Sequence, residues 1–88
     1  MKIWITHIGG YPNKYNQRIR QEINSNPPDI FICGHSHILK VINDKKLNVL
    51  HINPGAIGKH GFHHVRTMIR FEIIKNKIQN LEVIEFKR

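Results

Sequence analysis

Two imidazoles one residue apart, His35 and His37 in the run Gly34-His-Ser-His, follow directly on the apolar segment Asp29 to Cys33, and a third, His7, closes the segment Lys2 to Thr6 just ahead of Gly9 and Gly10. Neutral imidazole is a good ligand for borderline divalent metals such as Zn, Mn, Fe or Ni. In an extended segment residues i and i+2 point the same way, so His35 and His37 are expected to face one pocket with Ser36 turned aside. A His-x-His pair alone is equally compatible with two surface histidines. His7 at a neighbouring strand end, and a glycine close to each motif, favour metal binding. Cys33 precedes His35 by two residues and offers an alternative ligand set for a structural zinc. Its position at the end of an apolar run favours instead a small, inert, buried thiol.

The elements that must position these rings are legible as short apolar runs. "KIWIT" reads as a buried strand closed by glycine, and "DIFIC" as a second one. Between them "NKYNQRIRQEINSN" repeats Tyr15, Ile19 and Ile23 at every fourth position, which predicts a helix with one narrow apolar stripe. Asn26 and Pro27-Pro28 stop it, because proline lacks the helical donor and disfavours helix at the residue before it. Strand, helix, strand in this length makes a βαβ unit with parallel strands, so His7 and the pair His35/His37 arrive at the same edge of the sheet. Ligands of open α/β sheets bind at that edge.

Two antiparallel hairpins are expected next: "LKVIN" with "LNVLHIN" around Asp44 to Lys46, and "TMIRFEII" with "LEVIEF" around "KNKIQN". Ile69, Phe71 and Ile73 should form the mostly buried face of the second. The fold class is therefore α/β in its mixed α+β form, a βαβ unit followed by two hairpins. The segment "NPGAIGKHGFHH" between the hairpins reads as a loop. His51, inside a strand, reads as a packed or hydrogen-bonded residue.

Composition bounds the rest. Eighty-eight residues make one small domain that buries only about 60–65% of its unfolded surface. No apolar stretch approaches the roughly 20 residues of a membrane span, and the first residues lack a signal-peptide pattern. The single cysteine excludes an internal disulfide and fits a reducing cytoplasm. The 14 Lys and Arg against 6 Asp and Glu give a net charge of +8. They fall in turns and on polar faces without a basic helix or interleaved aromatics, a pattern that argues for a solvated surface over a nucleic-acid interface.

"ITHIGG", "FICGHSH" and "LHINPGAIG", in this order and at these intervals, resemble the second half of a calcineurin-like metallophosphoesterase of the small bacterial and archaeal phosphodiesterase branch. Gly34 to His37 is the most diagnostic piece. Ile8 interrupts the Thr-His-Gly motif, and Ala56 stands where serine is frequent. The resemblance implies half of a β-sandwich flanked by helices and hydrolysis of a phosphate ester at a binuclear centre of Mn, Fe, Ni or Zn. It places His7 and His35 on one metal and His37 on the other. Gly9, Asn53 and His60 are the candidates for contact with substrate, although Asn53 is equally a turn-shaping residue and His60 a bystander in a glycine-rich loop.

The family's Asp-x-His, Gly-Asp-x-x-Asp and Gly-Asn-His-Asp/Glu motifs are absent. Two dications a few ångströms apart repel strongly unless anions lie between them, and none of the six acidic residues neighbours a histidine motif. The expectation is a single partial domain over residues 1–88, holding at most one metal weakly. Self-association or a missing N-terminal half would then supply the carboxylates and cover the apolar faces. The alternatives are a non-catalytic metal-binding module using the same histidines, and a basic nucleic-acid-binding module.

Overall fold

A computed structural model describes residues 1–88. The chain runs β1 (Ile3–Thr6), β2 (Gly10–Tyr11), β3 (Lys14–Tyr15), α1 (Gln17–Ser25), β4 (Ile30–Cys33), β5 (Leu39–Asp44), β6 (Val49–Pro54), β7 (Val65–Ile74) and β8 (Lys77–Lys87). This is the mixed α+β architecture expected. β1, β4 and β6 run parallel, β5 is antiparallel to β6, and the order across the sheet is β1-β4-β6-β5. The hairpin partner β6 thus also lies beside β4. No helix is long and apolar enough to cross a membrane.

The helix begins later than its apolar spacing predicts. Tyr15 belongs to β3, paired with Gly10, and the cap is Asn16, whose side-chain oxygen accepts from the Arg18 N–H at 2.9 Å. The reason is the Pro12-Asn13 turn: proline presets φ at its second position and asparagine tolerates the positive φ of 71° at its third. Two residues of strand pairing result where helix was expected. At the other end Asn26 caps α1 through an N–H bond to the Glu22 carbonyl, as its sequence position predicts.

α1 lays Ile19 and Ile23 on one face of the sheet. Ile23, Tyr15, Phe31, Cys33 and Val49 form the core, with Trp4 and Leu47 against it. Trp4, Phe31 and His51 stand side by side across β1, β4 and β6. The Tyr15 hydroxyl donates to Asp44 at 2.6 Å, and that carboxylate also accepts from the Lys46 and Leu47 N–H groups. Both charge and turn are satisfied. The opposite face carries Ile3, Ile5, Ile30, Ile32, Ile52 and Val41; Ile30 and Ile52 at its centre are buried, whereas Ile3, Ile5 and Val41 on the edge strands are exposed, Ile5 to 75%.

β7 and β8 form a separate ribbon tied to β6 by Thr67, whose hydroxyl donates to the Pro54 carbonyl at 2.7 Å. The expected six-residue loop "KNKIQN" is only a two-residue turn, Lys75-Asn76, both at positive φ. That is the twist-compatible hairpin geometry, and it frees Lys77 to Asn80 for pairing. Phe71 then faces a bulge at Asn80 (φ 56°). Ile69 and Phe71 are half-buried but Ile73 and Ile74 are exposed, so the anticipated buried face ends before the tip, where nothing packs against it.

His51 has no exposed surface. Its Nε2–H donates to the Gly10 carbonyl at 2.9 Å, and its Nδ1 is buried without a partner. Burial pushes its pKa below the usual histidine value, with Lys40 adding to the effect and the Gly10 bond opposing it. The unfolded chain therefore binds the proton more readily. His51 contributes stability that is complete above about pH 6.5 and is lost as pH falls from there through its folded pKa. Urea unfolding at pH 7.5 and pH 5 should show this loss, and His51→Gln should reduce it; an identical pH slope in the variant would contradict the assignment.

Candidate metal centre

β1 and β4 pair in register from Ile3 with Ile30 to Thr6 with Cys33. One residue further on, the Gly34 N–H bonds the His7 carbonyl at 2.9 Å. This bond holds the two loops together beyond the ladder, and the rings follow: His7 Nε2 and His35 Nδ1 are 3.2 Å apart, with ring planes at 83°. Two imidazole nitrogens on one cation at about 2.1 Å lie about 3.0–3.4 Å apart over octahedral to tetrahedral angles. The pair fits one metal ion. The same separation suits an N–H···N hydrogen bond, so the two rings are matched with or without a cation.

His37 is placed differently. His35 (φ 71°) and His37 (φ 62°) both have left-handed backbone, so the segment is not extended and the expected alternation does not apply. The chain turns about Ser36, whose N–H bonds the Gly34 carbonyl. Ser36 is not turned aside: its hydroxyl bonds the Tyr11 hydroxyl, accepts from Asn53 Nδ2 at 3.1 Å and accepts from the Ile38 N–H. Left-handed conformation costs about 1–2 kcal/mol per non-glycine residue, and these bonds offset it. His37 consequently stacks edge-on against His63, with ring centroids 5.5 Å apart. His35, Ser36, His37, His60, Gly61 and His63 line an open cleft of about 470 Å³.

Asn53 is fully buried at the hinge of this arrangement. Its amide donates to the Gly34 carbonyl and to Ser36 Oγ, both at 3.1 Å, and its oxygen accepts from the Gly55 N–H at 3.0 Å. Asn53 therefore positions the loop from Gly34 to His37. Gly9 is also buried; a Cβ there would come within 2.5 Å of the Phe31 ring and 2.8 Å of Cys33, so packing accounts for this glycine. His60 is exposed at the cleft. Cys33 sits in the core and burial pushes its thiol pKa up, which disfavours the thiolate a structural zinc needs. The sequence reading missed Tyr11 and Ser36, and only the glycines beside Tyr11 marked that loop.

No three His, Cys, Asp or Glu residues gather in an arrangement able to hold a metal. Four of the six acidic side chains are engaged elsewhere: Asp29 accepts from the Lys2 N–H, Asp44 from Tyr15, Glu82 from Arg70 and Glu72 from Asn80.

The parallel strands carry the imidazole pair at one sheet edge, and the Asn-Pro-Gly turn braces the loop that presents His35. Residues 1–76 match the calcineurin-like phosphoesterase superfamily domain, and the chain belongs to that superfamily. No curated protein matches it. A solved structure of vacuolar protein sorting 29 from Cryptosporidium parvum is similar at 19% identity with a TM-score of 0.44, covering 96% of this chain and 52% of that one. The chain spans about half of that protein's length.

Replacing Asn53 with alanine leaves the Gly34 carbonyl without this donor and should cost about 1–3 kcal/mol. The expected readouts are a lower urea midpoint and, by NMR, broadened resonances from Gly34 to His37. Unchanged stability with a rigid loop would show that Asn53 does not position the pair.

Proposed function

We propose that residues 1–88 carry the imidazole half of a metallophosphoesterase centre acting on phosphate esters. His7 and His35 would hold one divalent cation and His37 would face a second. The observation that supports this most strongly is the 3.2 Å approach of His7 Nε2 to His35 Nδ1, within a chain of the phosphoesterase superfamily. Bound divalent metal supplies positive charge for the phosphoryl oxygens and an activated water.

The chain's own residues divide the remaining work. His7 and His35 bind, while Ser36, Tyr11 and Asn53 hold the loop that presents His35. His60 lies at the cleft, within the region a phosphate ester would enter. The carboxylates that two dications require come, on this reading, from a partner or a segment outside residues 1–88. A cytoplasmic, reducing setting is part of the proposal and matches a lone buried cysteine.

The second reading, a non-catalytic metal-binding module, rests on the same His7–His35 pair, which offers two nitrogens to one cation with no carboxylate beside them. His35→Ala separates both readings from none: calorimetry with Zn²⁺ or Mn²⁺ should show affinity reduced at least about tenfold, in line with the loss of a ligand. Undiminished binding would remove both. Metal-dependent turnover of an aryl phosphodiester by the assembled protein, abolished in the same variant, supports the hydrolase; metal binding with no turnover supports the module.

A further inference from the structure

Phe62 is 100% exposed, the highest value among the large apolar side chains. Single exposed apolar residues are ordinary on a protein surface, but this ring lies on the open cleft of about 470 Å³ that His35, His37 and His60 also line. Ile38, likewise exposed, adds a second apolar wall. A volume of that size falls within the range of small-molecule sites. The cleft therefore combines imidazole with open apolar surface.

The loop that carries Phe62 is held on both sides of the ring. The His63 Nε2–H donates to the Gly58 carbonyl at 2.7 Å and closes the loop. Arg88 donates to the Gly61 carbonyl at 2.9 Å and to the His63 carbonyl, the residues immediately before and after Phe62. Gly61, at φ 126°, presses on His37: a Cβ there would come within 2.5 Å of that ring, so any other residue would lift the loop off the histidine segment. Phe62 is thus presented on a braced backbone, which leaves less ordering to be lost when a ligand covers the ring.

We infer that Phe62 is a stacking platform for the ester group of the substrate, selecting phosphate esters whose alcohol carries a planar aromatic ring. The inference rests on the phosphoesterase reading above and adds its substrate class. A phosphoryl group drawn to His35 leaves its ester group inside the same cleft as Phe62. An aryl ring gains there by offset or edge-on contact, and a nucleobase offers an equivalent face. An alkyl ester offers neither.

The test titrates the Zn²⁺-loaded full chain by calorimetry with methyl phosphate, phenyl phosphate and adenosine 5′-monophosphate, all monoesters of the same charge. At least one ring-bearing ester should bind about fivefold or more tighter than methyl phosphate, as one stacking contact provides. A margin for phenyl phosphate assigns an aryl group; a margin for the nucleotide alone assigns a nucleobase. Phe62→Ala should remove the margin and Phe62→Trp should keep it, both with unchanged thermal unfolding because the ring is fully exposed. His35→Ala should weaken all three esters alike, through the metal. Equal affinity for the three esters, or a margin that survives Phe62→Ala, would overturn the platform alone, and binding of none would overturn both readings. A margin that Phe62→Ala removes while His35→Ala weakens nothing would keep the platform and sink the metal reading.

Discussion

The parallel register of β1 on β4 is the constraint from which the rest of the site follows. Thr6 stands opposite Cys33, so the next residues of both strands leave the ladder together. The Gly34 N–H to His7 carbonyl bond then extends the pairing by one step. Had the register slipped by one residue, every side chain on the slipped strand would have changed face, and His7 would no longer meet His35. The register is held by the core beneath it. Phe31 and Cys33 face α1, and a slip would turn Ile30 and Ile32 into the helix instead.

The same core explains why the histidine loops are so closely specified. Gly9 allows the β1–β2 loop to press on the Phe31 ring, and His51 reaches from β6 to the Gly10 carbonyl. Asn53 ties β6 to the carbonyl of Gly34. β6 thus contributes two polar anchors, His51 and Asn53, to the loops that carry the rings, and two left-handed histidines persist there. Strain of this kind is sustained only where surrounding bonds over-determine the backbone.

Much of this was legible in the residues. The two β-branched runs closed by glycine, the helix between them and its proline stop gave the βαβ unit, and with it the shared sheet edge for His7 and His35. What the pattern did not reveal was local backbone chirality. Alternation in "GHSH" implied two rings on one side, but hydrogen bonds from Tyr11 and Asn53 to Ser36, made across 25 and 17 residues of sequence, turn the segment and part His35 from His37. Tyr15 was likewise read as helical because its spacing from Ile19 fits, although Pro12-Asn13 encodes a turn that claims it for a strand. In the last hairpin Lys75-Asn76 alone makes the reversal, since asparagine accepts positive φ nearly as readily as glycine does in such turns.

Two rings 3.2 Å apart can satisfy one cation, and four of the chain's six carboxylates are occupied by the Lys2 backbone, Tyr15, Arg70 and Asn80. The most direct measurement is a crystal structure of the chain soaked in Zn²⁺, read by anomalous difference density at the zinc edge. The account predicts a peak about 2.1 Å from both His7 Nε2 and His35 Nδ1; density elsewhere only, with those two nitrogens still bonded to each other, would contradict it.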